Sequence, residues 1–546
     1  MCRRAGHPRG AGGRRRRLHR ELRRLPAQRG QSQAPRVPPL PLVRRLRGPL
    51  ARVPRALRLG RVQAGEGQEM KKENPSAPFE PRFERDGKDF LVSGFAGGLL
   101  RLSARDFAAF KAGRARAGTP LFKKLEAAGL LRGRLDLDGL AAGAAGLARG
   151  AWTGPGLHIL VLTLRCNHSC VYCRATAAGN GAGGLMTAAT ARRAVDTAFS
   201  SPNPEITIEF QGGEALLNWA VLKDAALYAK KLNRRAGKDL RLTVVTNLSV
   251  MDEEKFAFLV KEGISVCTSL DGPAELHNAN RRWSGGSSHA TAVRWLNKFK
   301  AAAARDGSAD SLPSALMTTT RRSLPLAAEI VEEYRGLGLG GIFLRPLSPI
   351  GYAAGVWPEI GYGPEEFLAF YRAALARVMR INYAGERFVE RNAALLARKL
   401  LRAEDPNYLD LRSPCGAAIG QLAYNWDGGV YTCDEGRMVA ACGDEAFRLG
   451  RAGETCAALL ARPAARVCAM ASCLEAQSYC ERCAFKPFCG VCPVHNYCTQ
   501  GSPAGDIAAG GWCALQKGLF KTVFKLLENK RARAVVEGWL GGGSAA

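Results

Sequence analysis

Six times between residues 158 and 382, a short apolar run suited to a strand is followed by a stretch with helical periodicity. The runs are HILVLTL (158–164), ITIEF (206–210), LTVVTNL (242–248), ISVCTSL (264–270), LPSALMTTT (312–320) and GIFLRPL (341–347). Helices are expected from near Thr187, from Leu216 and from Asp252, then around 290–303, 325–337 and 365–382. Strand–helix repeats of this length build a parallel sheet with helices outside it. The fold class expected is α/β, a partial (β/α)6 barrel with its functional groups at the C-terminal ends of the strands.

The first of those ends carries RCNHSCVYC, in which Cys166, Cys170 and Cys173 stand at C-x3-C-x2-C spacing. Three thiolates on one loop can ligate three of the four irons of a cubane cluster. The fourth iron is left open to chelate a small molecule and pass it an electron. A zinc knuckle is the alternative, but zinc sites show paired C-x2-C arms with a fourth ligand in reach, and this loop has none. The spacing resembles that of the radical S-adenosylmethionine (radical SAM) enzymes. The resemblance implies a 4Fe–4S cluster on these cysteines that binds SAM through its amino and carboxylate groups. One electron then splits a carbon–sulfur bond, and the 5′-deoxyadenosyl radical takes hydrogen from an unactivated C–H.

The other strand ends fit that resemblance. Tyr172 stands where these enzymes place an aromatic against the adenine; a core tyrosine is the alternative. At the end of the second run, EFQGGEALLN offers Gly212 and Gly213, whose backbone a ligand can approach closely. Glu214 there supplies a carboxylate for the amino group of SAM. Asn247 and Ser269, ending the third and fourth runs, are placed to hydrogen-bond its ribose and carboxylate. Arg345 either reaches that carboxylate or makes a structural pair. Asp271, before Gly272-Pro273, reads as a turn signal, and His277 reads as a surface histidine or a ligand.

Seventeen cysteines in the chain are clustered rather than evenly spread, most of them between 415 and 513. With no secretory signal, this reads as a cytoplasmic metalloprotein rather than a disulfide scaffold. CGAAIGQLAYNWDGGVYTC spans Cys415 to Cys433, CERCAFKPFCGVC holds Cys480, Cys483, Cys489 and Cys492, and Cys513 follows. The pattern resembles the SPASM extension of radical SAM peptide maturases, which implies two auxiliary 4Fe–4S clusters. The outer one would lie on Cys480, Cys483, Cys489 and Cys513, the inner one on Cys415, Cys433 and Cys492. No cysteine stands shortly before Cys415 to complete the inner set. Its iron is left open, or Cys442 or another nearby thiol is borrowed. Cys267, Cys456, Cys468, Cys473 and Cys498 are expected to be packing thiols. Asp434, next to Cys433, holds the place of the proton-accepting residue of related sulfatase maturases, and reads as a general base or a solvated turn residue.

The net charge of +31 suggests nucleic acid, but residues 1–69 hold nineteen arginines, no lysine and three glutamates, about half of it. That segment lacks any core-forming pattern and is expected to be a disordered extension or an upstream stretch read as protein, with Met70 the better start. No run approaches the ~18 apolar residues of a membrane span. Neither a nucleic-acid nor a membrane partner is expected. DFLVSG and GLLRLS suggest a hairpin, with two short helices after it. Residues 76–140 are thus a small α+β module, resembling the leader-peptide grips of peptide-modifying systems. A low-complexity linker over 140–156 leads into a barrel over 155–390, and the cysteine-rich extension occupies 410–525.

TLRCNHSCVYC, EFQGGEALLN, SLDGP, ALMTTTRRSLP, FLRPLSPIG, DLRSPCG and YTCDEGRM together resemble the B-component maturase of the His-Xaa-Ser peptide system. That implies a ribosomally made precursor peptide, a companion radical SAM maturase and a low-potential electron donor of the flavodoxin or ferredoxin type. A sulfatase-type maturase and a non-catalytic iron–sulfur electron carrier are the alternatives.

Overall fold

The computed structural model describes residues 74–541, apart from 96, 152, 174–183, 307–311 and 406–407. The expectation for residues 1–69 lies outside them. The chain opens on an antiparallel meander, β1 (Arg82–Asp86), β2 (Asp89–Gly94) and β3 (Gly97–Leu102). Only β2 and β3 were visible in the sequence as a hairpin. β1 is RFERD, whose charges hide it, yet Arg82 is buried and donates to the Gly94 carbonyl at 3.0 Å. Helices Ala104–Lys111 and Pro120–Ala127 follow, capped by Ser103 and Thr119, and bury Phe107, Phe110, Phe122 and Leu125 against the meander.

The expected linker is largely a helix, Leu137–Ala148, with the Asp136 side chain accepting from the Gly139 amide. Alanine has the best intrinsic helix propensity, and one cap is enough to start the turn. Low complexity here marked a helix, not a tether.

The barrel strands are β4 (Leu157–Thr163), β6 (Glu205–Gly212), β7 (Asp239–Thr246), β8 (Ser265–Ser269) and β10 (Ser314–Leu316). They lie parallel in the order β10-β8-β7-β6-β4. Alternation divides each strand between two faces. Leu160, Leu162, Ile208, Phe210, Leu242, Val244 and Val266 point outward into the core shared with helices Ala188–Phe199 and Trp219–Ala236. Ile159 and Val161 form a separate inner cluster with Ala423.

The sixth expected strand departs from the sequence reading. Only Gly341–Ile342 (β11) is extended, and it pairs with Val389–Glu390 (β12) outside the main sheet. Pro346 and Pro349 deny the rest of the run a ladder donor. The sheet grows instead at the other edge. β13 (Gln421–Tyr424) runs parallel to β4, and β14 (Gly429–Tyr431) and β15 (Arg448–Arg451) follow antiparallel. The cysteine-rich region is thereby hydrogen-bonded to the first barrel strand. No helix among the described residues is long and apolar enough to cross a membrane.

Candidate active site

The cysteine loop leaves β4 and is fastened by a short antiparallel pair. β5 (His168–Cys170) lies against β9 (Arg281–Trp283), with Cys170 opposite Arg281. The Cys166 sulfur accepts from the His168 amide at 3.4 Å and from the Asn247 side chain at 3.8 Å. Burial, with the Glu214 carboxylate and both other loop cysteines adding to it, pushes the Cys166 thiol up to about 12. Cys170 rises to about 11 by burial, opposed by Arg281, and Cys173 is exposed. Thiols crowded and desolvated in this way ionise only beside a strong positive charge, which bound iron supplies. Three thiols on one loop, two of them desolvated, are a donor set that fits a sulfur-ligated iron group.

The Gly-Gly-Glu turn packs onto this loop. The Gly213 amide donates to the Thr163 carbonyl at 2.7 Å and the Glu214 amide to that of Arg165 at 2.9 Å. A Cβ on Gly212 or Gly213 would strike those same two carbonyls. Their glycine identity thus serves the approach of turn to loop. Glu214 is 1% exposed and already accepts three bonds, from Leu216 N (3.0 Å), Thr246 Oγ1 (2.7 Å) and Asn247 N (2.7 Å). Burial raises its carboxyl against those bonds. A carboxylate has about four acceptor positions, so one remains for an ammonium. Asn247 also donates to Asn167 Oδ1 at 3.1 Å, so Glu214, Asn247 and Cys166 form one connected set. Ser269 stands half-buried at the end of β8.

Asp271 is more than a turn residue. It is 0% exposed and all its acceptor positions are filled. Oδ1 receives Arg281 Nε and Thr318 N, both at 3.1 Å. Oδ2 receives the Tyr172 hydroxyl at 3.0 Å and the Asn280 side chain at 3.2 Å. The Arg281 guanidinium lies 5.4 Å over the Tyr172 ring. Asp271 thereby ties the cysteine loop, β9 and the end of β10 together. His277 is buried rather than superficial: Nδ1 accepts from the Asp271 amide at 3.2 Å, and burial lowers it to about 3. The only sequence sign of this hub was the string SLDGPAELHNANRR. Arg345 lies 5.4 Å from the rings of both Phe343 and Tyr408, with Asp410 and Glu435 in electrostatic reach.

The C-terminal cysteines fall into two groups, and every described cysteine is a free thiol. Cys480, Cys483, Cys489 and Cys513 lie together, each raised by burial, and Cys489 feels the other three. Cys415, Cys433 and Cys492 share one apolar cluster with Val439, Phe447, Trp512 and, unexpectedly, Cys468. Cys468 is 0% exposed on helix Pro463–Ser472 and lies in electrostatic reach of Cys415. The same helix presents Ser472 Oγ to the Cys415 amide at 2.9 Å. Cys442, the sequence-stated candidate for a fourth partner, is exposed beside Cys498 and outside this cluster. Cys468 stands thirty-five positions after Cys433 with no cysteine spacing motif to link them, so only the folded chain shows it packed with the other three. Asp434 opens helix Asp434–Ala440 directly after Cys433, its Oδ1 accepting from Arg437 Nε at 2.8 Å.

Residues 160–311 match the family model of the Radical SAM superfamily. The chain carries a radical SAM domain. Over 194 residues it is 28% identical to an uncharacterized protein of Methanocaldococcus jannaschii, covering 35% of this chain and 62% of that one. An uncharacterized protein of Archaeoglobus fulgidus is 26% identical over 354 residues, 62% of this chain and 74% of the relative. The chain thus spans somewhat less than two thirds of the first relative's length. The solved structure of native anSMEcpe with bound AdoMet and Cp18Cys peptide superposes with a TM-score of 0.58 at 19% identity. It covers 70% of this chain and 100% of that one, a likeness of fold. The sheet of that domain is the partial parallel barrel expected.

Proposed function

We propose that this chain is a radical SAM maturase that modifies a ribosomally made precursor peptide of the His-Xaa-Ser type. The observation that carries this reading is the joining of three cysteine sets to one sheet. A three-thiol loop stands at its C-terminal edge, and two four-thiol groups lie in the segment that contains a strand paired with β4. Cys166, Cys170 and Cys173 would hold the SAM-binding 4Fe–4S cluster. When bound, cluster and SAM supply one-electron chemistry that removes hydrogen from an unactivated C–H.

The chain's own residues set the conditions for that chemistry. Asn247 and the β5–β9 pair fix the loop, and the free acceptor position of Glu214 would accept from an amino group of the bound SAM. Tyr172 and Ser269 border the same edge. Asp434, held by Arg437, is offered as the group that takes up the substrate proton. Cys480, Cys483, Cys489 and Cys513 would hold one auxiliary 4Fe–4S cluster. Cys415, Cys433, Cys492 and Cys468 would hold the other, and both serve as electron outlets. A low-potential flavodoxin- or ferredoxin-type donor, a companion maturase and a cytoplasmic setting belong to the same reading, as does a peptide-gripping role for residues 76–140.

A sulfatase-type maturase is the second reading, favoured by the fold likeness to anSMEcpe. Anaerobic reconstitution with iron and sulfide, SAM and dithionite should yield 5′-deoxyadenosine. Co-expression with a His-Xaa-Ser-rich precursor should shift the precursor's mass. Deoxyadenosine with an unmodified precursor, but a modified Cp18Cys peptide, would exchange the first reading for the second. No deoxyadenosine at all would reject both in favour of an electron carrier.

A further inference from the structure

The inner face of β6 carries groups that the proposed chemistry above leaves unused. Ile206, Ile208 and Phe210 are buried against the helices, so Glu205, Thr207, Glu209 and Gln211 point the other way, into the barrel. Register across β13, β4, β6 and β7 sorts this interior into layers. Gln421, Leu157, Thr207 and Arg241 form the lowest, and Ala423, Ile159, Glu209 and Thr243 the next.

Beneath the lower layer lies a cavity of about 170 Å³, lined by Leu157, Asn203, Glu205, Thr207, Leu409 and Gln421 together with three glycines. Gln421 is 2% exposed, and neither its amide nitrogen nor its amide oxygen has a protein partner. An amide buried without partners costs of order 1–3 kcal/mol, so a polar cavity of this kind holds water. One water needs about 10–15 Å³ by this measure, and the space takes several.

Glu209 stands one layer higher, about 7 Å along the strand from Thr207, a gap that takes two waters in series. The groups facing it are Asp434 from helix Asp434–Ala440, Cys267 from β8 and Tyr408 from the segment before β13. β4 and β7 contribute only Ile159 and Thr243 at its level. Its carboxylate makes no hydrogen bond or ion pair with a described residue, whereas Asp434 is held by Arg437. Burial first, and then the Asp434 charge, push the Glu209 carboxyl up to about 7. An acid at that value both takes and gives a proton near neutral pH.

We propose that the inner face of β6 is a proton route: Glu209 receives the proton that Asp434 takes from a peptide inside the barrel, and the wet cavity at Thr207 and Gln421 carries it to exposed Glu205. The role of Glu209 toward peptide rests on the maturase reading, while the route itself does not. Joining a C–H carbon to a heteroatom X–H forms C–X and breaks both bonds to hydrogen. One hydrogen leaves as an atom to the SAM-derived acceptor. The other leaves as a proton to Asp434 and on to Glu209, and the remaining electron would go to an iron–sulfur acceptor held by the C-terminal cysteines. Thr207 and Gln421 act through the water they hold and are positioning residues.

Infrared difference spectra of the full chain across a pH jump read the route without peptide, the Glu209 band being assigned by its loss in Glu209→Gln. The near-isosteric double variant Thr207→Val, Gln421→Leu should slow equilibration of that band tenfold or more. A crystal structure should show ordered water on the Gln421 amide. An unchanged rate, a missing band or a dry cavity overturns the route. With a synthetic His-Xaa-Ser-repeat peptide, the yield of modified peptide per deoxyadenosine should fall at least tenfold in Glu209→Gln. Wild-type yield should rise with pH through about 7, and Glu209→Asp should recover it. An undiminished ratio in Glu209→Gln overturns the acceptor role. A peptide that wild type leaves unmodified, with the infrared result intact, rejects the maturase reading alone.

Discussion

The barrel's cysteine loop and the inner C-terminal cysteine group are built on opposite principles. The loop offers three thiols on eight residues, fastened at one side by β9 and ending on exposed Cys173. The inner group draws Cys415, Cys433, Cys468 and Cys492 from four separate segments and closes Phe447, Val439 and Trp512 around them. A three-thiol set at an open edge leaves an iron position accessible to a chelating ligand. A four-thiol set in an apolar shell leaves none, and its environment is suited to storing charge. On the proposed function, one site would meet a molecule and the other would pass an electron.

The largest effect should come from breaking the open set. Cys170→Ala should abolish deoxyadenosine formation and remove roughly four irons per chain, since three ligands are already the minimum for such a cluster. Iron analysis beside chromatographic detection of deoxyadenosine checks this. Undiminished cleavage would end the assignment of the loop.

Next comes the closed set. Cys468→Ala should cost up to about four irons per chain or change the low-temperature paramagnetic spectrum of the reduced protein, with deoxyadenosine formation largely retained. Cys442→Ala, on the exposed thiol outside the cluster, should leave both iron content and spectrum as they were. Equal spectra for the two variants would remove Cys468 from the ligand set and return the inner group to three.

These two regions were also unequally legible in the sequence. C-x3-C-x2-C lies within one loop, so its spacing is its geometry. Cys468 joins its partners only because β15 and helix Pro463–Ser472 fold back onto β14, a contact no local pattern encodes. β13 escaped for the same reason. QLAY is four residues long, and its strand character comes from the β4 edge it meets. The run at 341–347 failed in the opposite direction, since apolar content promised a strand that Pro346 cut short. Asp271 reads as a turn signal, and His277 as a surface histidine or a ligand, because Asp-Gly-Pro is turn chemistry. Their burial follows from β9 folding back over the cysteine loop.

The support beneath the open loop can be tested through Asp271. Asp271→Asn leaves the Arg281 guanidinium, 10% exposed as a side chain, without its carboxylate at 3.1 Å. Removing one partner of a buried pair costs about 3–5 kcal/mol. Urea unfolding should show that loss, together with weaker iron retention on the loop and none on the C-terminal groups. Loss of iron from all three alike would mean that Asp271 supports the whole fold rather than the loop.

The smallest effect concerns the lumen between the two regions. Glu209 is an acid whose folded value, about 7, lies above its unfolded value near 4.3. Between those values the folded chain binds more protons than the unfolded chain, so stability falls as pH rises from about 4.3 through 7. Fully realised, that would cost about 4 kcal/mol, and partial access of water to the lumen reduces it to of order 1–3 kcal/mol. Glu209→Gln removes the titration. Wild type should therefore lose this increment between pH 5 and pH 8 relative to the variant, as read from the two chemical denaturation midpoints. A parallel pH dependence in both chains would mean that the Glu209 carboxyl ionises at its ordinary value. The barrel would then hold a fixed anion beside Asp434 instead of a group able to exchange a proton.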